Sequence, residues 1–182
     1  PATLLNELKE HVASRAQGSL HLTNALENYS MGSLEDALSE LQSAVAAHPG
    51  YADLRCRLGS LLAELHRLEE ALTHLEKALE INPSYVEARL HHGIVLLQLG
   101  RAGEAAETLE TATRLEPGYA DLHYFRGVAR LKSGDAAGAG SSLDEALRIN
   151  PDYHRARFYR GLACFALGEE SLGFERIRKA IE

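Results

Sequence analysis

The stretch ADLRCRLGSLLAELHRLEEALTHLEKALEINP, residues 52–83, contains the pattern that decides the fold. Its closing proline belongs to a series of prolines spaced 34 residues apart, each followed two positions later by a tyrosine. The prolines are Pro49, Pro83, Pro117 and Pro151, and the tyrosines are Tyr51, Tyr85, Tyr119 and Tyr153. A period this strict indicates one structural unit copied along the chain. We therefore expect units at 18–51, 52–85, 86–119 and 120–153, and a shortened unit at 154–182.

Small residues and leucines recur at helical spacing within each unit. Ala71, Leu75 and Ala78 lie at i, i+4 and i+7, which is one face of a helix. The second unit is therefore predicted as two helices, over 52–65 and 68–81, joined by a short turn. Proline ends the second helix because it has no backbone N–H. Four units have a glycine at their eighth position, where it would let helices approach closely: Gly59, Gly93, Gly127 and Gly161.

Composition and charge exclude several classes of protein. The 182-residue chain is 45% hydrophobic and 25% charged, which suits a soluble protein with a core. Its formal net charge of −7 argues against nucleic-acid binding. No apolar run approaches the roughly 18 residues of a membrane span, so we expect no membrane insertion. The opening PATLLNELKE lacks the basic and apolar regions of a signal peptide.

The two cysteines, Cys56 and Cys164, lie three repeats apart. Helices in such an array are spaced about 8–10 Å apart, so the two thiols are too distant for a disulfide, which needs Cα atoms within about 7 Å. Unpaired thiols are typical of a reducing compartment, and we expect a cytoplasmic protein. The chain begins without Met, which leaves open that it is a fragment and that a targeting signal lies upstream.

The unit resembles the tetratricopeptide repeat (TPR), whose pattern is W-x2-L-G-x2-Y, then A-x3-F, then P within 34 residues. The second unit matches at Leu58-Gly59, Ala71, Ala78 and Pro83, with Leu75 in place of the aromatic residue. The aromatic residue expected at the fourth position is missing from every unit. The resemblance covers residues 18–182 and implies an all-α, right-handed superhelical solenoid of antiparallel helix pairs.

Membership of this family would imply a binding function. In TPR proteins the first helix of each unit lines a concave groove, in which partners lie as extended or helical peptides. Mapping the family's groove positions onto this sequence gives polar residues in the second unit and aromatic residues in the fourth and fifth. The predicted groove residues are Arg57, His91, Ile94, Leu97, Tyr124, Phe125, Val128, Lys132, Arg155, Phe158, Tyr159 and Phe165.

We interpret these aromatic residues as anchors for an apolar peptide or amphipathic helix, because rigid aromatic side chains often dominate interfaces. Arg57, Lys132 and Arg155 would orient acidic groups of the partner. The alternative is that the aromatic side chains only pack between helices. The clustered Lys and Asn with which some co-chaperone TPR domains clamp a C-terminal carboxylate are absent here, so that function is not expected.

The sequence gives little support for metal binding or catalysis. His91 and His92 are adjacent on a predicted helix, so their side chains point about 100° apart and would not converge on one metal ion. His92 fits the buried leucine column instead. No nucleophile–base–acid set and no phosphate-binding loop occur, so we expect no enzyme activity, metal or cofactor. Arg126 and Arg160 also occupy the leucine column, and we expect their guanidinium groups to reach water.

Three further expectations concern packing. The tyrosines of the proline–tyrosine series should pack between repeats, because they recur in every complete unit. Gly138 and Gly140 should mark either a close backbone approach or a soft helix. Residues 1–17 should form a capping helix or the remnant of an upstream repeat, whereas residues 170–182 end in an apolar helix that is not covered.

The sequence thus predicts a TPR solenoid that binds another protein and has no enzymatic activity. Two alternatives stay open. The last helix could drive homo-oligomerisation into an assembly platform, or the chain could be the regulatory TPR segment of a larger enzyme or co-chaperone.

Overall fold

A computed structural model describes residues 17–181, and every regular element in that range is an α-helix. The helices are α1 (17–30), α2 (Leu34–Ala47), α3 (Ala52–Glu64), α4 (Leu68–Ile81), α5 (Val86–Gln98), α6 (Ala102–Leu115), α7 (Ala120–Lys132), α8 (Ala136–Ile149), α9 (His154–Ala166) and α10 (Glu170–Ile181). These bounds confirm the predicted all-α fold. The expected capping helix lies outside the described residues, apart from residue 17.

The chain divides into two compact units, Pro1–Ala88 and Arg89–Glu182, with the division inside α5. In the first compact unit α3 packs against both α2 and α4. In the second compact unit each helix from α6 to α9 packs against the helix that follows it. Both units therefore consist of consecutive packed helices, as the repeat requires.

Glycine at the eighth position lets the two helices of a repeat approach closely. A methyl group built at Gly59 would lie only 2.7 Å from Cγ of Leu75, and one at Gly127 would lie 2.6 Å from Cγ of Leu143. Nonbonded carbon atoms need about 3.5–4.0 Å. Any larger side chain would therefore push the helices apart, which confirms the role predicted for these glycines.

The turn inside a helix pair needs a residue with a left-handed backbone. Glycine fills this position in four repeats, whereas His66 fills it in the second repeat with φ of 58°. Glycine adopts this conformation without the steric cost that a side chain adds. The residues concerned are Gly32, Gly100, Gly134 and Gly168.

The turn between successive pairs is closed by backbone hydrogen bonds around the proline. The N–H of Asn82 donates to the carbonyl of Ala78 at 2.9 Å, and the N–H of Tyr85 donates back to the carbonyl of Asn82 at 3.1 Å. Asn150 and Tyr153 repeat this arrangement. The proline thus stops one helix while the tyrosine N–H fixes the start of the next.

Candidate partner-binding site

An aromatic cluster lies in the second compact unit, centred on the buried Tyr124 of α7. Its ring centroid is 4.9 Å from that of Phe125, 4.9 Å from that of Tyr153 and 5.7 Å from that of Tyr159. Phe158 joins through Tyr159, at 5.7 Å and nearly perpendicular. These separations fall in the range in which edge-to-face pairs are favourable. The five rings therefore hold each other in defined orientations.

The buried core of the second compact unit packs directly against this cluster. Tyr124 packs with buried Val128, Leu143, Ala146 and Ala156, which come from three helices. The half-buried side chains of Leu97, Phe125, Leu147, Tyr153 and Tyr159 surround that core. In α7 the fifth position of the repeat, Tyr124, thus faces inward, whereas the sixth, Phe125, is only half-buried.

The predicted groove residues of the second compact unit differ in how accessible their side chains are. Tyr124 and Val128 are buried, so a partner would contact the rings that they support. His91, Ile94, Leu97, Phe125, Tyr159 and Phe165 are half-buried. Lys132, Arg155 and Phe158 are exposed. The structure therefore brings Tyr124, Phe125, Arg155, Phe158 and Tyr159 together around one cluster.

Phe165 and Arg57 are among the predicted groove residues that do not join that cluster. Phe165 packs edge-on against Phe174 of α10, with ring centroids 4.9 Å apart. Its ring therefore packs between the two helices of its own pair, α9 and α10. Arg57 belongs to the first compact unit, where its Nε donates to Asp53 at 2.9 Å. This hydrogen bond raises the pKa of Arg57.

A cavity of about 450 Å³ opens beside the aromatic cluster. It is lined by Tyr124, His154, Arg155, Phe158, Tyr159 and Ala180. Both the apolar rings and two nitrogen-bearing side chains at the start of α9 therefore face the same space. Arg155 is exposed at this opening. The cavity combines an aromatic wall with an exposed positive charge.

Two of the four tyrosines in the proline–tyrosine series, in alternate repeats, are held by a hydrogen bond to an aspartate. The hydroxyl of Tyr153 donates to Asp121 at 2.5 Å, and that of Tyr85 donates to Asp53 at 3.1 Å. Burial, together with the neighbouring carboxylate, raises the pKa of both phenols. By contrast, Tyr51 is 48% exposed and Tyr119 is 46% exposed. Tyr85 and Tyr153 thus bind an aspartate of their own unit, and packing of the four tyrosines between repeats stays a prediction.

The second position of the repeat explains this alternation. Asp53 and Asp121 both occupy that position, in the same unit as the tyrosine that they bind. The two aspartates are visible in the sequence. They predict an anchored tyrosine only once the second position of a unit is known to face the tyrosine that ends the unit.

Arg126 and Arg160 are not arranged as expected. Each side chain is only 14% exposed, and each guanidinium pairs with an acid of the preceding repeat. Nη1 of Arg126 lies 3.2 Å from Glu110, and Nε of Arg160 lies 2.9 Å from Asp144. The prediction that these guanidinium groups reach water was wrong, because an acidic residue on the neighbouring helix offers a closer partner.

The two glycines of α8 also have specific neighbours. The N–H of Gly138 donates to the Asp135 carboxylate at 2.8 Å, which caps the start of the helix. At Gly140 the nearest group to a built methyl would be the guanidinium of Arg160, at 3.4 Å. A side chain rather than a backbone therefore approaches Gly140.

The outer face of α10 carries large exposed apolar side chains. Phe174 is 67% exposed and Ile181 is 77% exposed. The residues at the same repeat positions as Phe174 in α2 and α4, Leu38 and Leu72, are buried. The last helix thus presents a surface of the kind that the earlier helices bury.

Neither thiol is set up as a nucleophile. Cys56 and Cys164 are buried and free. Burial raises the pKa of Cys56 to about 12, so its reactive thiolate is scarce at neutral pH. No helix among residues 17–181 is both long and apolar enough to cross a bilayer.

Three family models described as tetratricopeptide or TPR repeats match the sequence. They match at residues 29–76, 59–100, and 90–154 with 130–173. The matched ranges together run without a gap from residue 29 to residue 173. No curated protein sequence matches the chain.

Solved structures of similar fold include several TPR proteins. A crystal structure of MamA has a TM-score of 0.82 and 20% identity, covering 91% of this chain and 90% of that one. YrrB, described as a TPR protein with an unusual peptide-binding site, has a TM-score of 0.78 and 20% identity, covering 99% and 90%. TTC0263, a thermophilic TPR protein in Thermus thermophilus, has a TM-score of 0.70 and 21% identity, covering 90% of each chain. At such low identities the likeness establishes the fold.

Proposed function

We propose, since this chain belongs to the tetratricopeptide repeat family, that it is a non-enzymatic interaction module that binds a peptide segment or helix of a partner protein. The binding surface is formed by the first helices of the repeats in the second compact unit. The observation that carries this proposal is the aromatic cluster, in which buried Tyr124 supports the partly exposed rings of Phe125 and Tyr159.

Preorganisation of these rings favours binding. An aromatic ring that is already fixed by its neighbours loses little conformational entropy when a partner contacts it. Such residues commonly provide most of the binding energy at an interface. YrrB supplies a precedent, because it is a TPR protein with a peptide-binding site. The exposed cations Lys132 and Arg155 would orient acidic groups of the partner.

The test uses a random peptide library displayed on phage, selected on the wild-type protein. Selected peptides are then measured against the double variant Phe125→Ala/Tyr159→Ala and against Tyr51→Ala, which removes an exposed ring from the first unit. We expect the double variant to weaken binding by more than about 30-fold, since two anchors at 1 kcal/mol or more each are lost. The control should bind like the wild type.

Circular dichroism and thermal melting show whether the double variant keeps its helices. Peptides that bind the folded double variant as tightly as the wild type would contradict the proposal. Binding lost equally in Tyr51→Ala would also count against it, because the aromatic cluster would then not be the site.

A second candidate function is self-association through α10. It is favoured by the exposure of Phe174 and Ile181, which lie seven residues apart on one helix face. Exposed apolar side chains that share one face of a surface helix often mark an interaction site. This function would make the protein a platform on which copies assemble.

A further inference from the structure

Two repeats hold the tyrosine that ends them against the start of their own first helix. In the second repeat Tyr85 donates to Asp53, and in the fourth Tyr153 donates to Asp121, each aspartate being the second residue of its repeat. The ring of Tyr153 also packs on Tyr124, the fifth residue, with ring centroids 4.9 Å apart. We call this place, beside the second and fifth residues of a repeat, the tyrosine slot.

The tyrosine slot of the first repeat is a cavity. The second and fifth residues of this repeat are Ser19 and Leu22, and both line a cavity of about 330 Å³ within the first compact unit. Tyr51, the tyrosine that ends this repeat, also lines the cavity but is 48% exposed. The tyrosine of the first repeat is thus present in the chain, and it forms a wall of the slot instead of filling it.

A stacking contact accounts for the position of Tyr51. Its ring centroid lies 4.9 Å from that of His48, and the two ring planes are only 14° apart. His48 in turn lies against Gly18, where a built methyl group would overlap the imidazole ring. Ser19 replaces the aspartate of the other two repeats, and a neutral hydroxyl is a weaker acceptor for a phenol than a carboxylate is. The first repeat therefore has a stacked ring pair beside an unfilled slot.

We propose that the tyrosine slot of the first repeat binds an uncharged aromatic side chain, tyrosine or phenylalanine, of a partner protein. The bound ring would lie on Leu22 and beside the stacked pair of His48 and Tyr51. An aromatic ring is favoured because the same slot holds a tyrosine in two other repeats. This site lies in the first compact unit, so it is additional to the aromatic cluster of the proposed function.

The lining of the slot favours a ligand without charge. Asp53 supplies a carboxylate to the lining, and this carboxylate already accepts from Nε of Arg57 at 2.9 Å and from the hydroxyl of Tyr85 at 3.1 Å. A charged side chain that enters such a site loses hydration without gaining a new counter-charge. The volume lies near the lower end of the range of about 300–1,000 Å³ for ligand sites, which suits a single side chain.

Blocked single amino acids serve as probes: N-acetyltyrosinamide, N-acetylphenylalaninamide and N-acetylleucinamide. Each is titrated into isotope-labelled protein and followed by NMR shifts. We expect both aromatic probes to bind saturably and to shift signals of Ser19, Leu22 and Leu54, which line the slot. The leucine probe should bind at least about threefold more weakly, because contacts between rings add stabilisation beyond the burial of area.

A change in the wall of the slot tests the same contacts from the protein side. His48→Ala should weaken both aromatic probes at least about threefold, because it removes one ring of the stacked pair. Tyr29→Ala removes another exposed ring of the first compact unit, outside the slot, and should leave all three affinities unchanged. Circular dichroism shows whether both variants keep their helices.

A second pair of variants tests the polar edge of the slot. Both are made in Tyr51→Ala, so that the tyrosine of the chain cannot enter the slot. Adding Ser19→Asp should make the protein prefer the tyrosine probe over the phenylalanine probe by about fivefold, because it restores the charged acceptor of the second and fourth repeats. Adding Ser39→Asp, the same change at an exposed serine of α2, should leave the preference as it is in Tyr51→Ala.

Equal binding of the leucine and aromatic probes would contradict the proposal, as would shifts only outside the slot or an unchanged preference after Ser19→Asp. Nuclear Overhauser contacts between residues 1–16 and Leu22 in the free protein would also contradict it, because the chain itself would then occupy the slot. In each case, selected peptides that depend on Phe125 and Tyr159 would still support the proposed function. The two proposals can therefore fail independently.

Discussion

Gly127 and Gly140 lie inside α7 and α8 of the second compact unit, but the space around them differs. A methyl group at Gly127 would be 2.6 Å from Leu143 and 3.3 Å from the carbonyl of Ala139. The three atoms nearest to a methyl group at Gly140 all belong to the guanidinium of Arg160, at 3.4 Å or more, which is an ordinary contact distance. Identical substitutions at the two positions should therefore have opposite effects on stability.

Gly140→Ala should raise the free energy of unfolding by about 0.5–1 kcal/mol, because alanine has the higher helix propensity. Gly127→Ala should lower it by about 1–3 kcal/mol, because the added carbon overpacks the contact with Leu143. Urea denaturation monitored by circular dichroism measures both changes. A Gly140→Ala protein that is less stable than the wild type would show that Arg160 cannot yield and that its ion pair matters more than propensity.

At the scale of helices, the contact between consecutive repeats of the second unit includes a charged network. Glu110 of α6 accepts from Arg126 at 3.2 Å and from Arg130 at 2.8 Å, both on α7. Arg126 also donates to Thr113 and Ser142. Burial lowers the pKa of Arg126, but an arginine stays charged at neutral pH. Its charge therefore needs Glu110.

Glu110→Ala should destabilise the protein by about 1–3 kcal/mol, because it leaves the largely buried Arg126 without its carboxylate. Glu70→Ala removes the partner of Arg67 in an exposed pair at the start of α4, and should cost no more than about 0.5 kcal/mol. Thermal or urea denaturation of both variants makes the comparison. Equal costs would mean that the network between α6 and α7 is no stronger than an ordinary surface pair.

The helices themselves could be predicted closely, whereas this network could not. The columns at Ala71, Leu75 and Ala78 placed the second helix of that repeat at 68–81, as observed. Such columns report which face is buried in every copy. Arg126 and Glu110 instead depend on which residue of one copy faces which residue of the next, and periodicity alone does not contain that information. The same limit applies to the tyrosine slot, since no pattern in one repeat shows that Ser19 replaces an aspartate.

At the scale of the whole molecule, the exposed face of α10 predicts weak self-association. We expect the molar mass measured by multi-angle light scattering to rise with concentration, because Phe174 and Ile181 lose contact with water when two copies meet. The double change Phe174→Asp/Ile181→Asp should return the mass to that of a monomer at every concentration. Leu115→Asp, a change at another exposed apolar residue, should not. A constant monomer mass in the wild type would contradict the second candidate function.

The alternate anchoring of the tyrosines points to the history of the chain. The hexapeptide PGYADL occurs at 49–54 and again at 117–122, two repeats later. The pentapeptides INPSY at 81–85 and INPDY at 149–153, which contain the anchored tyrosines, have the same separation. A pair of repeats, rather than one, is therefore the element that was duplicated, with its aspartate and its distant tyrosine copied together. In this ancestry the fourth repeat is the copy of the second, so Asp121 and Tyr153 descend from the same pair as Asp53 and Tyr85.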